Sequence, residues 1–289
     1  MTSNIEVLIP TLNEEVNLPH TLRSVSGWAD RVHIVDAEST DRTCEIAEEF
    51  GASFTVHPWA GYARQKNWAL DNFEFTSDWI LILDADEAVG PKLRDEMLGV
   101  AARPVAEVNE AGFYVNRYFI FLGKRIRHCG YYPSWNLRFF KRGKARYEQR
   151  EVHEHMIAVG PTGYLEGHLE HHDRRGLDAY VAKHNRYSTL EAQEIVRQMG
   201  DDTEGTIDAR LRGDPLQRRR WIKRHLYPKL PAKWLFRFLF MYVLRLGFLD
   251  GLTGLRFCLF ISSYELQISL KIEELLQQQQ ASPPAEEGA

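Results

Sequence analysis

Short apolar runs and stretches with helical spacing alternate four times within the first 90 residues. The runs are Ile5 to Ile9 (IEVLI), closed by Pro10; Arg31 to Val35 (RVHIV), closed by Asp36; Ala52 to Val56; and Trp79 to Leu83 (WILIL), closed by Asp84. Between them lie a helix striped by Val16, Leu18, Leu22 and Val25, a second that Ser39, Thr40 or Asp41 can cap and that ends near Phe50, and a third from Tyr62 to Asp71. This alternation predicts a parallel, right-handed α/β sheet. Ligands of such sheets bind beyond the carboxyl ends of the strands, so Pro10 to Glu14, Asp36 and Asp84/Asp86 are expected to converge on one site.

The chain is long enough for a generous core: 289 residues, 44% of them hydrophobic. Cys44, Cys129 and Cys258 form no C-x-x-C pair, which points to a reducing compartment and away from a disulfide framework. The first fifteen residues reach acidic side chains too soon for a signal peptide, and no run of 18 uncharged apolar residues supports a full membrane span. Beyond residue 105, Gly112 to Phe121 and Asn136 to Phe140 read as strands added to the sheet edge. Helices are predicted over 177–197 and 265–276, and the end, QQQQASPPAEEGA, reads as a disordered tail over 277–289.

The net charge of −4 hides strong segregation: residues 1–100 carry −11, residues 101–150 carry +8, and residues 215–249 carry nine basic side chains and no acid. In that last block Lys233, Arg237 and Arg245 fall within an arc of roughly 120°, leaving a wide face of Leu, Phe and Trp. Such a helix fits an anionic membrane surface, with an ordinary buried helix as the alternative. No nucleic-acid motif accompanies the patch, so nucleic acid is not expected as a partner.

Asp84-Ala85-Asp86 leaves a buried strand with two carboxylates at i and i+2, able to share a hard divalent cation, Mg²⁺ or Mn²⁺, whose other ligands are phosphate oxygens and water. Asp36 can accept from a base N–H or a ribose hydroxyl, or cap the following helix. Pro10, Thr11, Asn13 and Glu14 follow the first strand; Glu14 can bind ribose or favour the helix N-terminus. Arg64 and Lys66 sit near a helix start, where cations oppose the macrodipole and a bound anion would explain them. Arg138 belongs to the basic segment that can neutralise a departing diphosphate. Glu154, between His153 and His155, can serve as general base toward a hydroxyl; with His168, His171 and His172 these histidines can alternatively form a zinc site.

Taken in order, IPTLNEE (Ile9 to Glu15), VDAESTDRT (Val35 to Thr43), GYARQKNWAL (Gly61 to Leu70) and LDADE (Leu83 to Glu87) resemble the family 2 glycosyltransferases of the GT-A fold. The segments Gly123 to Gly130 (GKRIRHCG), Arg138 to Phe140, Val152 to Glu154 and Gly247 to Gly251 (GFLDG) resemble the lipopolysaccharide inner-core β-1,4-glucosyltransferase group more closely. Glu38 stands where the family commonly has glycine.

The resemblance implies an α/β, GT-A-type, Rossmann-like nucleotide-sugar-binding domain with a C-terminal amphipathic helical extension. Residues 1–205 would form the transferase domain (1–100 the nucleotide half, 101–205 the acceptor half) and 206–276 the membrane-associating helices. It implies inverting transfer of a hexose, glucose from UDP-glucose, to a lipid-linked saccharide acceptor. Asp84 and Asp86 would hold the metal, Asp36 would contact uridine and Glu154 would be the base. The expected location is cytoplasmic, peripheral on the inner face of the cytoplasmic membrane. A polyprenyl-phosphate sugar transferase and a non-catalytic lipid- or nucleotide-binding scaffold are the competing readings.

Overall fold

The computed structural model describes residues 3–148, 155–200 and 232–281. The chain divides into two compact units, one of residues 1–127 and 131–175, the other of residues 128–130 and 176–289.

In the first unit the expected alternation is present as β1 (Ile5–Thr11), α1 (Leu18–Val25), β2 (Arg31–Asp36), α2 (Thr43–Glu49), β3 (Ser53–Val56), α3 (Tyr62–Asn72) and β4 (Trp79–Ile82). These four strands are parallel, in the order β3-β2-β1-β4. Burial on both faces explains why β1 and β4 read as unbroken apolar runs. Val7, Ile9 and Leu81 pack with Leu18, Leu22 and Val25 on one face, while Leu8, Ile80 and Ile82 pack with Ala69 and Phe75 on the other. Each such side chain contributes about 1.5–3 kcal/mol by leaving water.

The sheet is mixed rather than wholly parallel. β5 (Glu87–Val89) and α4 (Pro91–Ala101) follow β4, then β6 (Gly112–Phe121), β7 (Lys124–Ile126), β8 (Trp135–Lys141), β9 (Ala145–Tyr147), β10 (Met156–Ala158) and β11 (Thr162–His171). β8 joins the edge of β4 antiparallel and the order continues β8-β6-β11-β5, with β7 paired to β6 and a separate β9-β10 ribbon. The strands expected over 112–121 and 136–140 are therefore the ones that extend the sheet.

The second unit holds α5 (Gly176–Gly200), α6 (Lys233–Leu239), a π-helical turn (Phe240–Leu244), a 3₁₀ turn (Gly247–Asp250) and α7 (Gly251–Ala281). α5 packs along α7, where Lys271 Nζ donates to Asn185 and Ser188 and the Tyr264 hydroxyl donates to Glu191. The units part at residue 176, and the boundary expected at 205 lies outside the described residues. α7 also outruns the expected end at Leu276: Gln277 to Ala281 are helical, not disordered. Glutamine is a good helix former, and the first proline comes only at Pro283. The single amphipathic helix expected through Arg245 is instead broken there, with Leu246 at φ +56°. No single described helix is long and apolar enough to cross a membrane.

Candidate active site

The carboxyl ends of β1 and β2 are cross-linked by the short polar side chains of their own motifs. Asp36 Oδ1 accepts from the hydroxyls of Thr11 (2.6 Å) and Ser39 (2.6 Å), and Oδ2 accepts from the Ser39 N–H (2.7 Å). Asn13, at φ +54°, donates its N–H to Ser39 Oγ and accepts from the Thr40 N–H. Asp36 is buried at 1% exposure, so it fastens these two loops with three of the roughly four acceptor sites a carboxylate offers. Pro10 lies opposite Val35 in the β1–β2 register, immediately behind this junction. Glu38 adopts φ +63°, the left-handed conformation that the usual glycine would take without strain.

One strand over, Asp84 meets the two cations that the sequence singles out. Lys66 Nζ lies 2.8 Å from Oδ1, and Arg138 Nη2 lies 2.5 Å from Oδ2. Burial by itself would raise the Asp84 carboxyl, but Arg138 and Lys66 outweigh it and hold the group well below its ordinary range. Burial likewise works against the charge on Lys66 and on Arg138, and Asp84 reverses it in both, holding each cation above its ordinary value. Lys66 is buried on α3, so it serves Asp84 rather than standing at an open helix start. Arg64 is exposed, and no ion pair joins it to another described residue.

The two carboxylates of the D-x-D motif therefore differ. Both Asp84 oxygens face cations, so a metal at Asp84 would have to use the acceptor capacity that those cations leave open. Asp86 Oδ2 instead lies 3.1 Å from His171 Nε2. That donor set suits a hard ion completed by diphosphate oxygens and water. Among the described residues no group of three His, Cys, Asp or Glu side chains is placed to hold a metal, so an ion here would need ligands from a bound donor and water as well. His168 stacks on Tyr118 and accepts from or donates to the Tyr132 hydroxyl at 3.0 Å, and His155 is exposed. His153 and Glu154 lie outside the described residues.

Several participants escape a reading by motif. Glu87, fully buried on β5, accepts from Arg138 at 2.9 Å and from the Asp84 N–H at 3.0 Å, and Arg117 lies 3.4 Å away. It was in view as the last acid of LDADE, directly before the apolar pair Ala88-Val89. The run after β11 is also brought in: Asp173 accepts from Asn17 and pairs with Arg175, and Arg175 Nη1 reaches Glu14 Oε1 at 3.2 Å. Glu14 is thus an anchor for Arg175. The hydrogen bond to Asp173 and the charge of Glu14, working against burial, hold the Arg175 guanidinium above its ordinary value. A separate cleft lined by Leu70, Phe73, Arg142 and Arg146 contains none of these residues.

These strand-end carboxylates, with Asp84 held between a lysine and an arginine, lie where ligands of open α/β sheets bind. The family description "Glycosyl transferase family 2" matches residues 6–160, and the chain belongs to that family. It is 33% identical to the lipopolysaccharide core biosynthesis glycosyltransferase LpsC of Rhizobium meliloti over 66% of this chain and 72% of that protein. It is 30% identical to an uncharacterized glycosyltransferase of Rickettsia typhi over 67% of this chain and 68% of that one. Among solved structures, S. aureus TarS 1-349 aligns over 96% of this chain and 92% of that chain, at 14% identity and a TM-score of 0.44.

Proposed function

We propose that this chain moves a hexose, glucose from UDP-glucose, with inversion onto a hydroxyl of a lipid-linked oligosaccharide such as the lipopolysaccharide inner core. It would work at the cytoplasmic membrane surface with Mg²⁺ or Mn²⁺. The observation that supports the reading is that Asp36 ends β2 and Asp84 and Asp86 follow β4, the two neighbours of β1, with Lys66 from α3 and Arg138 from β8 engaging Asp84. The likeness to LpsC supports the acceptor class.

In this reading the loops fastened through Thr11, Asn13 and Asp36 shape the nucleotide seat, and Arg175 steadies Glu14 at its rim. Asp84 and Asp86, the latter with His171 beside it, would hold the divalent ion, which when bound offsets charge on the donor diphosphate. Lys66 and Arg138 keep Asp84 ionised and fixed. The acceptor oxygen attacks C1 from the face opposite the diphosphate, the bond from C1 to the diphosphate oxygen breaks, and the hydroxyl proton passes to a carboxylate, the role proposed for Glu154.

The test is UDP release from a panel of UDP-hexoses with a lipid-linked acceptor, the anomeric configuration of the product being read by NMR. Loss of turnover in Asp86→Ala is expected. Undiminished turnover in that variant would remove Asp86 from the site, and a retained configuration would remove the single displacement.

A further inference from the structure

The two arms of the second unit's C-terminal helices, Lys233–Leu244 and Gly247–Gln279, meet at 74°. Around this bend large apolar side chains face outward: Phe236, Val243, Leu244, Phe248, Leu249 and Leu252 are all exposed, Leu244 by 72% and Leu252 by 60%. No residue of α6 is buried, and Met241 is the one buried residue of the π turn. Among the described residues this stretch is not covered as an ordinary core helix would be.

The bend is tightly built. A Cβ on Gly247 would lie 2.8 Å from the Met241 carbonyl and 2.9 Å from Cys258 Sγ, and one on Gly254 would lie 2.1 Å from the Gly247 carbonyl. Asp250, whose side chain is 6% exposed, accepts from the His128 N–H at 2.8 Å and pairs with His128 Nδ1 at 2.9 Å. The polar group of the turn therefore points inward and its leucines outward, the reverse of a turn made for water. From Ala232 to Tyr264 the sole acid is this buried Asp250, against Lys233, Arg237, Arg245 and Arg256. Arg245 and Arg256 are exposed beside the apolar tip.

We propose that residues 243–252 form a preformed wedge that enters the headgroup and upper acyl region of an anionic lipid leaflet, with Arg245 and Arg256 at the phosphates. This rests on the membrane-surface reading above and narrows it from the basic block 215–249 to the GFLDG bend. Shallow insertion suits an apolar tip with a cationic rim, because burial of leucine and attraction to anionic headgroups act together. A second copy seated two-fold on the same face would set that cationic rim against itself.

Flotation of the full chain with phosphatidylglycerol-containing vesicles and with pure phosphatidylcholine vesicles tests the proposal. The wild type is expected to float with the anionic vesicles. Leu244→Asp combined with Leu249→Asp should lower the partition coefficient by about tenfold or more while UDP binding, measured by calorimetry, stays unchanged. An environment-sensitive dye on Leu249→Cys, in a Cys44→Ser background, should shift to the blue on the anionic vesicles. Equal flotation of the double variant, or no shift of the dye, would overturn the wedge. So would a wild type that is dimeric by light scattering and turns monomeric in the double variant. A wild type that fails to float would overturn the wedge and the membrane reading together, and its UDP binding would tell separately whether the transferase reading stands.

Discussion

Replacing Lys66 by methionine keeps most of the side chain's length and removes its charge, leaving Arg138 as the cation paired with Asp84 among the described residues. Lys66 is 9% exposed at the side chain and Asp84 33%. Breaking a buried pair costs about 3–5 kcal/mol. The remaining guanidinium and the partial access of water to Asp84 reduce this, so we expect a loss of about 2–3 kcal/mol. With a urea slope of about 2–3 kcal/mol per molar, the unfolding midpoint at pH 7 should fall by about 1 M. The pair also predicts a sign for pH. Asp84 has a lowered folded pKa, so its stabilisation is present above the unfolded carboxylate value and is lost as pH falls through the folded one. Lys66 has a raised folded pKa, so its share is full below the unfolded lysine value and is lost only as pH rises through the folded one. Lys66→Met should therefore flatten both limbs. In a double-mutant cycle, adding Asp84→Asn should restore part of the loss, because the uncompensated charge is gone, with a coupling of about 1–3 kcal/mol. A single-variant loss below about 0.5 kcal/mol, or strict additivity of the two changes, would refute the assignment of Lys66 as the partner that keeps Asp84 ionised.

Glu6 is buried at the start of the sheet, and hydrogen bonds from Thr76, Ser77 and His33 overcome burial to bring its pKa from 4.5 to about 2. It contributes about 3 kcal/mol above pH 4.5 that disappears toward pH 2, so Glu6→Gln should lower stability at pH 7 and flatten the acid limb of a denaturation series. Arg175→Leu should raise KM for the UDP-sugar several-fold, as measured by steady-state kinetics, because it frees Glu14, and should lower kcat as well, because the Arg175 charge also acts on Asp86. Gly254→Ala should cost about 1–3 kcal/mol in thermal unfolding, the price of moving the Gly247 carbonyl out of its way. Chelation should abolish UDP release, and Mg²⁺ or Mn²⁺ should restore it in the wild type but not in Asp86→Ala.

The parallel half of the sheet was legible because strands buried on both faces write themselves as IEVLI and WILIL. β11 was not: TGYLEGHLEH is half exposed and alternates weakly, so its sequence resembles a loop. β5 is three residues long, below what periodicity can register. α4 was readable in principle, from Pro91 at its start and Leu93, Met97 and Ala101 along one face. Within the site, Asp36 with Thr11 and Asn13 followed from strand ends meeting. The engagement of Asp84 by Arg138 did not, because it depends on β8 docking against β4, a long-range pairing that no local pattern encodes. The same holds for Asp173 and Arg175, some 160 residues from the loop they brace.

The link from β4 to β5 is only Leu83 to Asp86, and it contains a turn in which the Glu87 N–H donates to the Asp84 carbonyl. Yet the sheet order places β8, β6 and β11 between those two strands. Laid flat, four strand spacings would need about 19 Å, while such a turn spans under about 7 Å. The five strands must therefore roll until β5 comes back toward β4, and the contacts of Glu87 with Arg138 on β8 and Arg117 on β6 are what that rolling brings about. Asp84 and Asp86 are the stitches of the seam, so lengthening the stitch by even two glycines after Ala85 would let the trough gape and scatter the charges it now confines.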